Sequence, residues 1–302
     1  MNLPDLRKIR ADAVALALVV ACGAWSFWPV LRRLVVVWES EPDYGHGYLV
    51  PLVAAAILWL RRARRPAATA DWRGLVFVVS ALALLIAGGT FYLAVLQDVA
   101  LLLWVAGACW LIGGRALVRW ASPAIGFLAF MLPMPFRLEQ LVTLPMQHVA
   151  TQWSAWLLQC WGLPALAEGN VLLIDETRLE VAQACSGLRM FMCVVAVAYV
   201  YAVLARKPRW LKITLFAFVA PVAMVANTLR ISATAIAWQY VISNGGREWI
   251  HDVAGWLMIP LAVALLHLIL WYFDRVSVPV EVLDATQLLR RGRGPAPLKH
   301  AT

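Results

Sequence analysis

The sequence predicts an all-α polytopic membrane protein of about eight transmembrane helices, with a short periplasmic hairpin and an interfacial helix. Three observations carry that reading. Of the 302 residues, 63% are hydrophobic and 14% charged, where a soluble domain carries roughly 25% charged residues. The mean hydropathy is +0.75, with sixteen tryptophans. The apolar residues gather in eight runs, each a candidate for the roughly 20 residues that cross a bilayer. A soluble single domain, a disordered chain and a disulfide-rich module are excluded. The five cysteines are scattered and odd in number, which argues against a disulfide framework.

The runs follow in order as Ala13–Val30, Tyr48–Leu60, Leu75–Leu93, Val99–Ile112, Ala121–Pro135, Gly187–Ala205, Leu211–Ala226 and Val253–Phe273. The first has no clear small-residue cleavage site and continues through Trp25, Phe27 and Trp28, so it reads as a retained span and not a signal peptide. The second, fourth and fifth are short, and charge judges their ends better than hydropathy. With the N-terminus inside, the inside segments hold 19 of the 26 basic residues and the outside segments 7. The positive-inside rule favours that orientation, with both termini cytoplasmic. The net charge of +9 is therefore a topology signal and not a nucleic-acid patch.

Phe136–Ser186 is the main segment outside the spans. Within it, Thr143–Trp161 is aromatic and amphipathic, as expected of a helix lying along the interface. Asn170–Ala182 alternates apolar and polar residues around Asp175 and Glu176, the pattern of a hairpin. No internal repeat is evident. Residues 1–275 read as one integral membrane domain, and 276–302 as a basic tail whose Gly- and Pro-rich end is expected to be disordered.

Polar residues in or beside spans are costly, which makes them functional candidates. Three clusters fall at the outer ends of spans. The first is Ala184-Cys185-Ser186-Gly187-Leu188-Arg189, entering the sixth span. Free N–H groups and the dipole at a helix start stabilise a thiolate and can hold an oxyanion. Arg189, four residues on, shares a helix face with Cys185. The plainer reading, a small buried cysteine, fits Cys22, Cys109 and Cys193 among their apolar neighbours better than it fits Cys185. The second cluster is Asn227-Thr228-Leu229-Arg230, ending the seventh span. Asn227 and Arg230 share a face, and twelve largely apolar residues follow, so Arg230 is expected at the membrane surface or in a cavity. A planar, permanently charged fork there suits an oxyanion or a carboxylate. Alone it would read as a snorkelling arginine. The third is His251-Asp252 before the eighth span. Histidine is the usual general base near neutral pH; alone it would read as a cap. Asp252 adjoins it but does not face the same way, so it is not assigned as its orienter. A fourth feature, Asp43-Tyr44-Gly45-His46-Gly47-Tyr48, precedes the second span. A metal site built from His46, Asp43 and His251 lacks the dense spacing such sites show, and no metal or cofactor is expected. His148, His267 and His300 read as interface, core and tail residues.

A thiol, a base and a cation on one membrane face are the three roles a cysteine hydrolase or acyl transferase requires. At these residues the sequence resembles the exosortases, with the archaeosortases as more distant relatives. The resemblance rests on Ala-Cys-Ser-Gly-Leu-Arg at 184–189, Asn-x-x-Arg at 227–230, the histidine at 251 and the early Tyr-Gly-His-Gly-Tyr-Leu-Val-Pro at 44–51, and covers about residues 10 to 275. It implies a membrane-embedded cysteine protease or transpeptidase of the bacterial inner membrane. Its site would face the periplasm and process exported proteins that end in a sorting signal: a short Pro-Glu-Pro type motif, a transmembrane helix and a basic cluster. It assigns Cys185 as nucleophile with Arg230 and His251 as catalytic partners, and leaves Arg189, Asn227, Ser186 and His46 as substrate-binding or supporting residues. The family often has Glu two positions before the cysteine; Gln183 stands there. An extra C-terminal periplasmic domain found in some members is not expected here.

Two rivals remain at the level of sequence. A transporter or lipid-handling protein would use Arg189 and Arg230 to bind an anion, but such proteins often carry inverted repeats and mid-membrane helix breaks. A structural membrane subunit would use all three clusters as interfacial caps.

Overall fold

The computed structural model describes residues 14, 18, 19, 21–67, 69–174, 177–180, 187–205, 207–241 and 244–276. The first half of the first predicted span, the 181–186 segment with Gln183, Cys185 and Ser186, and the tail from 277 lie outside the described residues.

Helical residues 21–26 pass through a bend at Phe27 into α1 (Trp28–Ser40). A 3-10 helix, Pro42–Tyr48, leads into α2 (Leu49–Leu60). Then come α3 (Gly74–Thr90) and α4 (Ala94–Phe127). α4 has two arms that meet at Gly114, whose φ of 62° is available chiefly to glycine. The first arm runs back along α3, with Gly88 close to Gln97 and Gly74 close to Leu111. The second arm and the following 3-10 turn (Leu128–Met131) return to the start, where the Trp38 indole N–H donates to the Met131 carbonyl at 2.9 Å. The fourth and fifth predicted runs are thus two arms closed by one glycine. Pro123 in the second arm cannot donate to Arg119, and the Ser122 hydroxyl donates to that carbonyl instead, at 3.0 Å.

α5 (Phe136–Cys160) is longer than the interfacial helix expected over 143–161, and it joins the bundle by packing along its neighbour α8. Three antiparallel strands follow: β1 (Ala165–Glu168), β2 (Val171–Ile174) and β3 (Thr177–Glu180), in the order β1-β2-β3. Alternation gave the β2–β3 hairpin; β1 is an addition, its Ala165 opposite Ile174. The chain closes with α6 (Gly187–Leu204), α7 (Arg209–Ala217), α8 (Val219–Tyr240) and α9 (Asn244–Val276).

Two apolar cores hold these elements. One gathers α1 to α4 around Phe27, Leu34, Ile57 and Phe127, and takes in Ala196, Tyr199 and Val203 of α6. The other gathers α6 to α9 around Val194, Leu211, Leu215, Ala223 and Leu266, with Met146 of α5. α6 therefore serves both. A third cluster packs Ala150 and Leu158 of α5 and Leu172 of β2 against Ile231 and Ala235 of α8, capping the end of the α8–α9 hairpin.

Among the described residues, three stretches are long and apolar enough to cross a membrane, Ala94–Met131, Arg209–Gln239 and Val253–Val276; Gly74–Thr90 and Leu188–Leu204 are shorter apolar helices. The chain is an all-α polytopic membrane protein with a small sheet at one end. Many large apolar side chains face outward, as a lipid-facing surface requires. Three expectations change. The seventh run does not stop at Ala226: its helix continues to Tyr240, because the polar residues beyond are buried against α5, α9 and the sheet instead of ending the helix. His267 is not a core residue but lies exposed on the outer face of α9. Cys22, read as small and buried, is exposed, while Cys109 and Cys193 are half-buried.

Candidate active site

The opposite, basic end of the bundle sets a ruler for depth. Lys207 Nζ sits 2.8 Å from an Asp274 carboxylate oxygen, tying the α6–α7 connection to the end of α9. A helix rises about 1.5 Å per residue, so about 20 residues cover the hydrocarbon. Twenty residues up from Arg209 lies Leu229; twenty back from Arg275 lies Gly255; α6 covers its own 18 residues between Leu204 and Gly187. Three helices thus bring Arg230, Gly255 and the start of α6 to one level, about one bilayer thickness from the basic end.

Contacts agree with that count. The Arg230 guanidinium lies against α9 at Gly255: a β-carbon built there would be 3.4 Å from its Nη2 and 3.6 Å from its Cζ. A β-carbon there would meet the planar group at ordinary contact distance. Arg230 is 3% exposed, so it is a buried cation and not a snorkelling one. Residue 251 is one helical turn before Gly255 on α9. α6 and α9 run the same way along a small apolar cavity lined by Met190, Val194 and Val197 from one and Ile259, Ala262 and Leu266 from the other. Continuing that register upward sets Gly187, the first residue of α6, level with Gly255. Cys185 and Ser186 immediately precede it, outside the described residues.

Along α8, Asn227 flanks Arg230. Its side chain is fully buried, and neither its amide oxygen nor its nitrogen has a hydrogen-bond partner among the described residues. Leaving such a group unpaired costs about 1–3 kcal/mol, so Asn227→Leu, of similar volume and better helix propensity, is expected to raise the thermal unfolding midpoint of the detergent-solubilised chain. A lowered midpoint would mean that the amide is satisfied and structural. Thr228 faces elsewhere: its carbonyl accepts the Ser154 hydroxyl of α5 at 3.3 Å.

The early motif forms a platform beside the first turn of α6. The Tyr44 hydroxyl donates to Glu139 Oε2 and accepts the Met134 N–H, both at 3.1 Å. Burial pushes this phenol up to about 12, so it stays protonated and able to donate. His46 Nε2 is 3.1 Å from the Phe130 carbonyl oxygen. Burial lowers its pKa below the usual histidine value, which favours the neutral ring with the proton on Nε2, donating to that carbonyl. Gly47 lies under the Trp38 indole, where a β-carbon would collide. Asp43 Oδ1 is 3.7 Å from Arg189 Nε, and Tyr44, Leu188 and Met192 share one apolar cluster. The motif therefore reaches the start of α6 through Asp43 and Tyr44, while His46 acts as a strut to Phe130. Among the described residues no three His, Cys, Asp or Glu gather as a metal site.

The bundle thus brings a buried arginine, the start of α6 and the helix that carries His251 to one level, about one bilayer thickness from its basic end. The chain belongs to the transmembrane exosortase family: the family model matches residues 38–268, most of its length. Membership supports a membrane transpeptidase role in general terms. No curated protein and no solved structure matches the chain.

Gly255, against which Arg230 lies, is not among the candidates read from the sequence; its one legible signal is its position four residues after His251.

Proposed function

We propose that this chain is a membrane-embedded cysteine transpeptidase that cuts C-terminal sorting signals of Pro-Glu-Pro type from exported proteins at the periplasmic face of the inner membrane. The observation that carries the reading is the buried Arg230 guanidinium against Gly255, one turn from His251 and level with the helix that starts just after Cys185. In the proposed cycle His251 accepts the Cys185 thiol proton, and the thiolate attacks the scissile carbonyl. Arg230 and the first N–H groups of α6 stabilise the oxyanion. Its collapse forms a thioester and expels the amine, which takes the proton from the imidazolium. An incoming amine, or water, gives its proton to His251 and resolves the thioester, restoring the thiol. Substrate and enzyme share one bilayer, which raises their effective concentration. Arg189 and Asn227, with Ser186 and the His46 platform, support the site in this reading.

The decisive test is co-expression with a tagged substrate bearing such a signal, followed by mass spectrometry of its new C-terminus and of Cys185. A thioester on Cys185 supports the reading; processing with Cys185 unmodified under trapping conditions sinks it. A cheaper check compares thiols. Cys160, exposed at the end of α5, serves as reference, and a membrane-impermeant maleimide added from the periplasmic side is expected to label Cys185 faster at pH 7. Equal or slower labelling removes the case for an activated thiol.

A further inference from the structure

A histidine base works when a third group fixes its ring, and Asp252, adjacent along the helix, does not share its face. We infer that Thr234 is a positioning residue that orients the His251 imidazole, an inference that rests on the cysteine-transpeptidase reading above.

The argument is one of register. α8 and α9 are consecutive helices joined by a short connection and packed together along their length. The Arg230 guanidinium against Gly255 fixes how they are aligned. Thr234 is one turn beyond Arg230 toward the hairpin tip, and residue 251 is one turn before Gly255, also toward the tip. Each step turns its helix by only about 40°, so the α8 face that meets α9 at Arg230 meets it again near Thr234, at the level of residue 251.

The state of Thr234 adds a second observation. Buried helical threonines commonly donate to the carbonyl four residues back; Thr151 does so, to Gln147 at 2.8 Å. Thr234 is fully buried, yet its hydroxyl has no hydrogen-bond partner among the described residues. A hydroxyl that accepts the Nδ1–H of a neutral imidazole leaves Nε2 free to take the thiol proton. Asn227, on the same face, is one turn below Arg230 and so farther from residue 251.

The experiment measures iodoacetamide alkylation of Cys185 in detergent-solubilised full-length chain for five forms: unchanged, Thr234→Val, Thr234→Ser, His251→Ala and the double variant Thr234→Val with His251→Ala. Thr234→Val is expected to slow alkylation about tenfold, Thr234→Ser to restore most of the rate, and Thr234→Val to add nothing once His251 is alanine. With a sorting-signal reporter in proteoliposomes, Thr234→Val should lower kcat and leave KM within about twofold. Thr234→Ala replaces the valine form if that form does not fold. An unchanged alkylation rate, or an equal slowing in the His251→Ala background, overturns the role of Thr234. Processing that persists in Cys185→Ala overturns the reading beneath it, a separable result.

Discussion

Cys185→Ala and Cys185→Ser are both expected to abolish processing of a sorting-signal substrate while the protein still accumulates in the membrane at its usual level. Alanine removes the nucleophile. Serine keeps the shape, but a hydroxyl is far less acidic than a thiol, and the aid a helix start gives an anion falls well short of that gap. The measurement is the fraction of co-expressed substrate cleaved, beside the abundance and thermal midpoint of each variant. Cleavage undiminished in Cys185→Ala would falsify the covalent mechanism outright.

Arg230→Lys is expected to be nearly as damaging as Arg230→Ala, with turnover reduced by about a hundredfold or more. The reason is geometric. The guanidinium is flat, always charged and seated against Gly255, where a β-carbon would just reach ordinary contact with it and a larger side chain would compete for its place. Lysine brings a point charge on a flexible stem, with no fork to address an oxyanion from a fixed plane. Its amine, buried as deeply as Arg230 is, also loses its proton more readily. The same geometry can be probed from the other side. Gly255→Val keeps Arg230 but fills its seat, and should reproduce the Arg230→Lys defect; Gly255→Ala, at ordinary contact distance, should be milder. Near-normal turnover in Arg230→Lys would reduce the residue to a source of charge, and normal turnover in Gly255→Val would show that its seating is immaterial.

The membrane class and the order of the apolar runs were legible without coordinates, because a chain in lipid must expose long apolar stretches whatever its neighbours are. Asn-x-x-Arg at 227–230 and the histidine at 251 stood out for the complementary reason: polar side chains are costly at those positions and persist where something uses them. The later part of α5, from Thr143, and the β2–β3 hairpin were visible as periodicity, but the start of α5 at Phe136 and its packing along α8 were not. The extension of α8 to Tyr240 was not, since hydropathy takes Asn227 and Arg230 as an end, whereas burial against α5, α9 and the sheet makes them part of the interior.

What belongs to tertiary structure alone is the meeting of distant positions. Hydrophobic periodicity acts over a few turns and is blind to register between helices. It cannot say that Arg230 rests on Gly255, or that Tyr44 and Asp43 reach across to Glu139 and Arg189. Those pairings are set by how side chains interlock when helices pack, a property of two surfaces together that neither carries in its own order of residues.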